Sequence, residues 1–231
     1  MKRYILREYG SWGVMTIAYI AGLIAGRSIG IKALAGYICI ALLINSKQAF
    51  TLWMRGPKQG TMPLLIFLAQ ALPAAAALAW LTGGQVLQLL PYAVVPAAYL
   101  ASLKALGEHS IYTEVLGFSL LSLSGLIAKF SETGVADPVL YLTIALFFIA
   151  GVFRVRIQFR KETKYRVIMA AYVVLALGLY AAAGVPLYIL LPLADNVIFA
   201  IFLYRVGLSG TGWIEMSKGA AFLCLMAYGY T

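Results

Sequence analysis

Acids are scarce in this chain, and histidine is nearly missing. Eight Asp and Glu stand against 18 Lys and Arg, with one His and two Cys in 231 residues. A lone His109 leaves no His/Glu spacing of the kind a zinc site needs. Cys39 and Cys224 lie far apart inside apolar runs, which excludes a disulfide framework and reads as two small core residues. The P-loop, dinucleotide fingerprint, serine-hydrolase elbow and CxxC pair are all absent, so no cofactor and no metal are expected. Charge itself is sparse, at 11% of residues, against roughly 25% in soluble domains.

What is present is apolar. Hydrophobic residues make up 63% of the chain and the mean hydropathy is +0.90. That leaves too little polar surface for a soluble fold. The expectation is a single all-α membrane domain over residues 1–231, with the lipid bilayer as its first partner. A bilayer crossing needs about 20 mainly apolar residues. Runs of that kind fall at 12–26, 33–53, 62–81, 86–103, 111–128, 138–153, 167–184, 186–204 and 214–230, giving nine spans. The Gly-Val-Pro at 184–186 reads as a tight turn between the seventh and eighth. The basic start before the first run reads as the lead-in to a retained helix rather than a cleaved signal.

The net charge of +10 reads as topology rather than nucleic-acid binding. With the N-terminus inside, the inner segments carry fourteen basic residues: Lys2, Arg3, Arg7, Lys47, Arg55, Lys58, Lys104, Arg154, Arg156, Arg160, Lys161, Lys164, Arg166 and Arg205. The outer segments carry three, Arg27, Lys32 and Lys129. Basic residues accumulate on the cytoplasmic side, so the expected layout is a multi-pass cell-membrane protein, N-in and C-out. Trp12, Trp53, Trp80 and Trp213 fall near span ends, where amphipathic rings prefer to sit. Gly22 and Gly26 have the small-xxx-small spacing that permits close helix packing.

Residues 153–166, "FRVRIQFRKETKYR", hold six basic residues in fourteen. As a loop after the sixth span they serve topology or attract anionic headgroups. Six exceeds what the other inner loops use, and guanidinium forks just past a span suit phosphate. The candidate anion-binding set is Arg7, Lys47, Lys104, Arg154, Arg156 and Arg160. The candidate cavity groups are Glu8, Asn45, Glu108, Glu114 and Asp195. Glu108 and Glu114 flank the start of the fifth span, and Lys104 and Glu108 are four apart. Asp195 sits midway along the eighth span, three residues after Pro192, where a kink is expected. It reads either as a cavity-facing acid that binds a cation or proton, or as an acid satisfied by a buried partner such as a lysine. Glu215 and Lys218 read as a mutually neutralising structural pair.

The opening "REYGSWGVM" resembles the start of the YwiC-like family of prokaryotic membrane proteins, usually Arg-Glu-His-Gly with an aromatic two places on. Arg7, Glu8, Gly10 and Trp12 match, and Tyr9 replaces the His. The similarity continues through "GEHSIYTEVLGFSLLSLSG" and "FFIAGVFRVRIQFRKE". Where many members resemble His-Glu-Pro, this chain has Asn45, Ser46 and Lys47. A more distant similarity is to UbiA-type prenyltransferases, which have nine spans and Asp-rich motifs after the second and sixth. Asn45 stands where the first such motif would begin, but no Asp occurs at 45–60 or 153–166, so Mg²⁺-dependent prenyl transfer is not implied. What the layout implies is a lipid-accessible cavity with a cationic mouth. The leading expectation is binding, and in some form modification, of an anionic lipid or isoprenoid phosphate. Two alternatives stand beside it: an ion- or proton-coupled transporter built on Asp195, and a non-catalytic subunit of a membrane complex. The residues do not specify a protein partner.

Overall fold

The computed structural model describes residues 6, 8–27, 29–54, 60–160, 162–204 and 206–230, with only the backbone of Leu208. Helices α1 (Tyr9–Gly26), α2 (Ile31–Met54) and α3 (Met62–Leu81) lead to a 3₁₀ segment, Gln85–Ala93, that runs into α4 (Val94–Leu106). Then come α5 (Ile111–Thr133), α6 (Pro138–Arg160) and α7 (Thr163–Ala182). A second 3₁₀ segment, Leu187–Leu193, runs into α8 (Ala194–Phe202), and α9 (Leu208–Tyr230) follows. The described residues contain no strand.

Seven of these elements are long and apolar enough to cross a bilayer: α1, α2, α3, the unit Gln85–Leu106, α5, α6 and α7. The other two of the nine expected spans differ from these. Leu187–Phe202 is apolar but shorter. There Pro192 lacks the N–H that an α-helix would use, and the chain changes from 3₁₀ to α just beyond it. Pro91 lies in the other 3₁₀ segment in the same way. α9 has the length, but Ser209, Glu215, Ser217 and Lys218 make its first half polar. Gly184, at φ +70°, makes the turn foreseen after α7.

Successive elements alternate in direction. At one end Asn45 in α2 meets Leu6 before α1, Arg156 in α6 meets His109 before α5, and Arg166 in α7 meets Ala200 in α8. At the other end Arg27 after α1 donates to the Tyr230 carbonyl in α9 at 2.9 Å, and Lys129 in α5 meets Asp137 before α6. α5 packs on α1, α2, α4 and α6, and α6 on α1, α5, α7 and α8. α6 is buried along most of its length, whereas Leu65, Leu72 and Trp80 of α3 face outward. Such an apolar exterior suits hydrocarbon.

The α1–α5 crossing depends on glycine. A Cβ on Gly22 would sink into the Gly125 carbonyl, and one on Gly125 would come within 2.5 Å of the Ala18 carbonyl oxygen. Ser124 donates to the Met15 carbonyl at 3.0 Å across the same contact.

Three expectations are corrected. Residues 153–166 are not an extended loop: α6 runs on to Arg160 and α7 starts at Thr163. Glu162, whose i±4 neighbours Gln158 and Arg166 are the partners that a continuous helix would offer it, pairs with Lys164 at 2.7 Å instead. Cys39 is buried, but Cys224 is exposed, on an outward face of α9.

Asp137 caps α6, accepting from the Leu140 N–H at 2.9 Å and from Lys129 at 2.7 Å. Burial alone raises its pKa, but these hydrogen bonds outweigh that and hold it below its ordinary 3.8. A carboxylate with a depressed folded pKa stabilises the fold above its unfolded pKa, and that stability is lost as pH falls through the folded value. Unfolding followed from pH 6 down to pH 2 should show this acid-linked loss, and Asp137→Asn should remove it. Gly125→Leu should abolish a monodisperse peak on size-exclusion chromatography or lower stability by about 1–3 kcal/mol or more. Gly178→Ala, where a Cβ meets nothing within 4 Å, should leave the melting temperature unchanged or slightly higher.

Candidate functional site

Two arginines two positions apart on a helix point about 200° apart. Arg154 and Arg156 therefore serve opposite sides of α6.

Arg154 turns toward α8 and α9 and is 1% exposed. Its Nη1 donates to Asp195 Oδ2, and to Asn196 Oδ1 at 3.3 Å. Its Nη2 donates to the Tyr204 hydroxyl at 2.8 Å, which itself donates to Asp195 Oδ1 at 2.6 Å. The guanidinium lies 4.8 Å from the Phe199 ring centroid, and Nε is 3.4 Å from Glu215 Oε1. Lys218 closes the group, donating to Asn196 Oδ1, and to Glu215 Oε1 at 2.6 Å. Two cations and two carboxylates neutralise one another inside the helix packing. Asp195 thus has a buried partner, an arginine rather than a lysine, and the Glu215–Lys218 pair belongs to a larger network. Asn196 Nδ2 is buried with no hydrogen-bond partner among the described residues.

Arg156 turns the other way. Its Nε donates to Glu114 Oε2 at 2.9 Å and its Nη2 to the His109 carbonyl at 2.8 Å. Both groups border a cavity of about 220 Å³ at the end of the bundle that holds the α1 and α5 N-termini. Glu8, Ser11, Lys47, Glu108, His109 and Glu114 form its polar wall, and Leu6, Ile44, Phe118 and Leu121 its apolar one. Helical spacing explains the gradient. Glu114, Gly117, Phe118 and Leu121 form one stripe down α5, polar at the N-terminus and apolar deeper in. Lys47 stands one turn beyond Ile44 on α2. Lys47 reaches Glu8 Oε2 at 3.4 Å, where Ser11 Oγ also donates at 2.7 Å, and its ammonium is 5.6 Å from the Tyr99 ring centroid.

The cavity does not stand alone. A space of about 380 Å³ shares Glu108 and His109 with it and adds Thr51, Leu103 and Lys104. A groove of about 610 Å³ shares Lys104 and Met54 with that space and is walled by Phe50, Trp53 and Leu100. The polar cavity, the space beside Lys104 and the aromatic groove therefore adjoin through shared wall residues of α2, α4 and the start of α5.

Of the candidates read from the sequence, Glu8, Lys47, Glu108 and Glu114 come together here, and Lys104 lines the space beside them. Gly107, at φ +80°, ends α4 before Glu108, so Lys104 and Glu108 share a space but not a helix turn. Asn45 is turned away: its Oδ1 accepts from the Leu6 N–H at 3.0 Å and its Nδ2 donates to Gln70 at 2.8 Å. Arg160 is exposed, 5.9 Å from the Tyr165 ring centroid. Arg7 lies outside the described residues, as do Lys2, Arg3, Arg55, Lys58, Lys161 and Arg205. Sequence reasoning missed Tyr99, Ser11 and Tyr204. Only Ser11, three residues after Glu8, carried a local signal. Among the described residues, no cluster of His, Cys, Asp and Glu is placed to hold a metal ion.

No family profile, curated protein or solved structure matches this chain.

Removing one partner of a buried ion pair costs about 3–5 kcal/mol, because the other charge is left uncompensated. Arg154→Leu should lose about that much in unfolding measured in detergent micelles. Arg154→Leu combined with Asp195→Leu should recover a substantial part. Equal or greater loss in the double variant would show that the charge network is not what Arg154 supports.

Proposed function

We propose that the chain is an integral membrane protein of nine crossings, with its N-terminus cytoplasmic, that binds a phosphate-bearing amphiphile. The observation that carries this reading is the adjacency of a charged cavity at one end of the bundle and an aromatic groove beside it. An amphiphile needs both, a polar end for the head and an apolar channel for the chain. Lys47 is the cation in the cavity wall and Lys104 the cation in the adjoining space, both suited to charge-assisted hydrogen bonds with phosphate oxygens. Phe50, Trp53 and Leu100 suit a hydrocarbon or isoprenoid tail. Arg154 is not part of this site, since its Nη donors go to Asp195, Asn196 and Tyr204 and it does not line the cavity.

The orientation rests on charge. The described basic side chains at the cavity end are Lys47, Lys104, Arg154, Arg156, Arg160, Lys164 and Arg166; at the opposite end they are Arg27, Lys32 and Lys129. The cavity end is then the cytoplasmic one. The resemblance of the first motif to the YwiC-like pattern belongs to the same proposal, because its Glu8 stands in the cavity wall. Transport through Asp195 is less well supported, because that carboxylate is bonded to Arg154 and Tyr204.

Native mass spectrometry of the gently extracted protein tests the proposal. A retained phospholipid or isoprenoid phosphate is expected, and Lys47→Ala with Lys104→Ala should lower its occupancy by about tenfold or more, one lost charged hydrogen bond being worth about 1.5–3 kcal/mol. Bound lipid that ignores both substitutions would refute the site.

A further inference from the structure

We propose that Lys218 is a proton-binding site, an amine inside the bundle that takes up and gives back one proton while the protein stays folded. The inference stands apart from the amphiphile reading and rests on the Arg154 network.

Two cations in that network compete for one carboxylate oxygen. Glu215 Oε1 lies 2.6 Å from Lys218 Nζ and 3.4 Å from Arg154 Nε. Lys218 holds it, and among the described residues Arg154 Nε is a buried donor without a hydrogen bond. Asn196 Nδ2 is a second such donor, since Asn196 turns its Oδ1 to Lys218 and Arg154. Buried donors are nearly always satisfied. Both stay unsatisfied while Lys218 is an ammonium, which has three donors and no acceptor. Arginine keeps its charge in proteins, so lysine is the member of the pair that can change. A neutral Lys218 releases Glu215 Oε1 to close on Arg154 Nε. Its nitrogen then has a lone pair, to which Asn196 can donate Nδ2 by turning its amide. Arg154 Nη1 keeps Asp195 in either arrangement, and Tyr204 holds the other oxygen of that carboxylate. Loss of one proton therefore satisfies both donors.

The titratable and charged groups around Lys218 are Arg154 from α6, Asp195 from α8, Tyr204 after it and Glu215 from its own helix. Helix α1 and the segment Leu187–Leu193 also pack on α9, and neither contains Asp, Glu, Lys, Arg or His. The route out is Glu215, whose side chain is 32% exposed against 8% for Lys218. The proton passes from Nζ to Glu215 Oε1: an N–H bond breaks, an O–H bond forms, and the electron pair stays on nitrogen. The carboxyl group then yields the proton to water and turns as a carboxylate to Arg154. A Cβ on Gly151 would stand 3.4 Å from Glu215 Oε2 and 3.9 Å from the Phe118 ring. Phe118 also lines the cavity, which places Glu215 near its inner wall.

Lysine labelled with carbon-13 at Cε reports the proton by NMR of the full chain in micelles, the Lys218 signal being the one that Lys218→Met removes. Raising the pH from about 6 to about 10 should carry that signal from the ammonium to the free-amine position with the far-UV circular dichroism unchanged. Glu215→Gln should bring the change to lower pH, because the ammonium then lacks its carboxylate. Lys218→Met, a permanently neutral side chain, should melt close to wild type, since Arg154 takes over Glu215. A Lys218 signal that stays ammonium throughout, or that changes only as the protein unfolds, would overturn the inference. So would a Lys218→Met variant that fails to fold or loses as much stability as Arg154→Leu, the result expected of a permanent ion pair.

Discussion

Arg154 is the interaction on which the rest of the structure turns. A guanidinium that is 1% exposed carries a desolvation penalty of several kcal/mol, which only well-placed partners offset. Those partners, Asp195, Asn196, Tyr204 and Glu215, come from α8, the segment after it and α9, so satisfying one side chain fixes how these elements sit against α6. Phe199 covers the guanidinium face. Once Arg154 is committed to that side, helix geometry sends Arg156 to the other. There it holds Glu114 and the carbonyl of His109 and shapes the cavity wall. One turn of α6 thus organises a closed network on one flank and an open cavity on the other.

The two clusters show two ways of keeping charge in an apolar protein. The network pairs two buried cations, Arg154 and Lys218, with two partly exposed carboxylates, Asp195 and Glu215, which suits structure. The cavity wall sets partly exposed Glu8, Lys47 and Glu114 around an open space. Six of the eight acids, Glu8, Glu108, Glu114, Glu162, Asp195 and Glu215, lie at or toward the cavity end, with most of the described bases. The opposite end has Lys129–Asp137 and Arg27 on a backbone carbonyl. The glycine-mediated contact of α1 with α5 also holds together the two helices whose starts bring Glu8, Ser11 and Glu114 to one cavity.

The helical class and most element positions were legible, because runs of about 20 apolar residues have no other economical fold. The turn at Gly184 and the break at Pro192 were legible from local backbone chemistry. Gly22 was visible as a spacing, but its partner Gly125 was not, since contact across more than a hundred residues leaves no local trace. The stretch 153–166 misled for a physical reason. Density of charge reads as solvent exposure, yet Arg154 and Arg156 are buried by acids on α5, α8 and α9. Four candidates did converge, the acids Glu8, Glu108 and Glu114 at helix ends and Lys47 two turns inside α2, because all lie toward the same end of the bundle. Asn45 did not, although it is two residues from Lys47, because a helix turns it toward Gln70.

Photocrosslinking with a diazirine-bearing phospholipid tests the central claim most directly. The account predicts that a chain-borne diazirine labels α2 and α4 around Phe50, Trp53 and Leu100, and that Lys47→Ala suppresses the labelling. Labels spread evenly over the outward faces of α3 and α7, unchanged by Lys47→Ala, would contradict a specific amphiphile site.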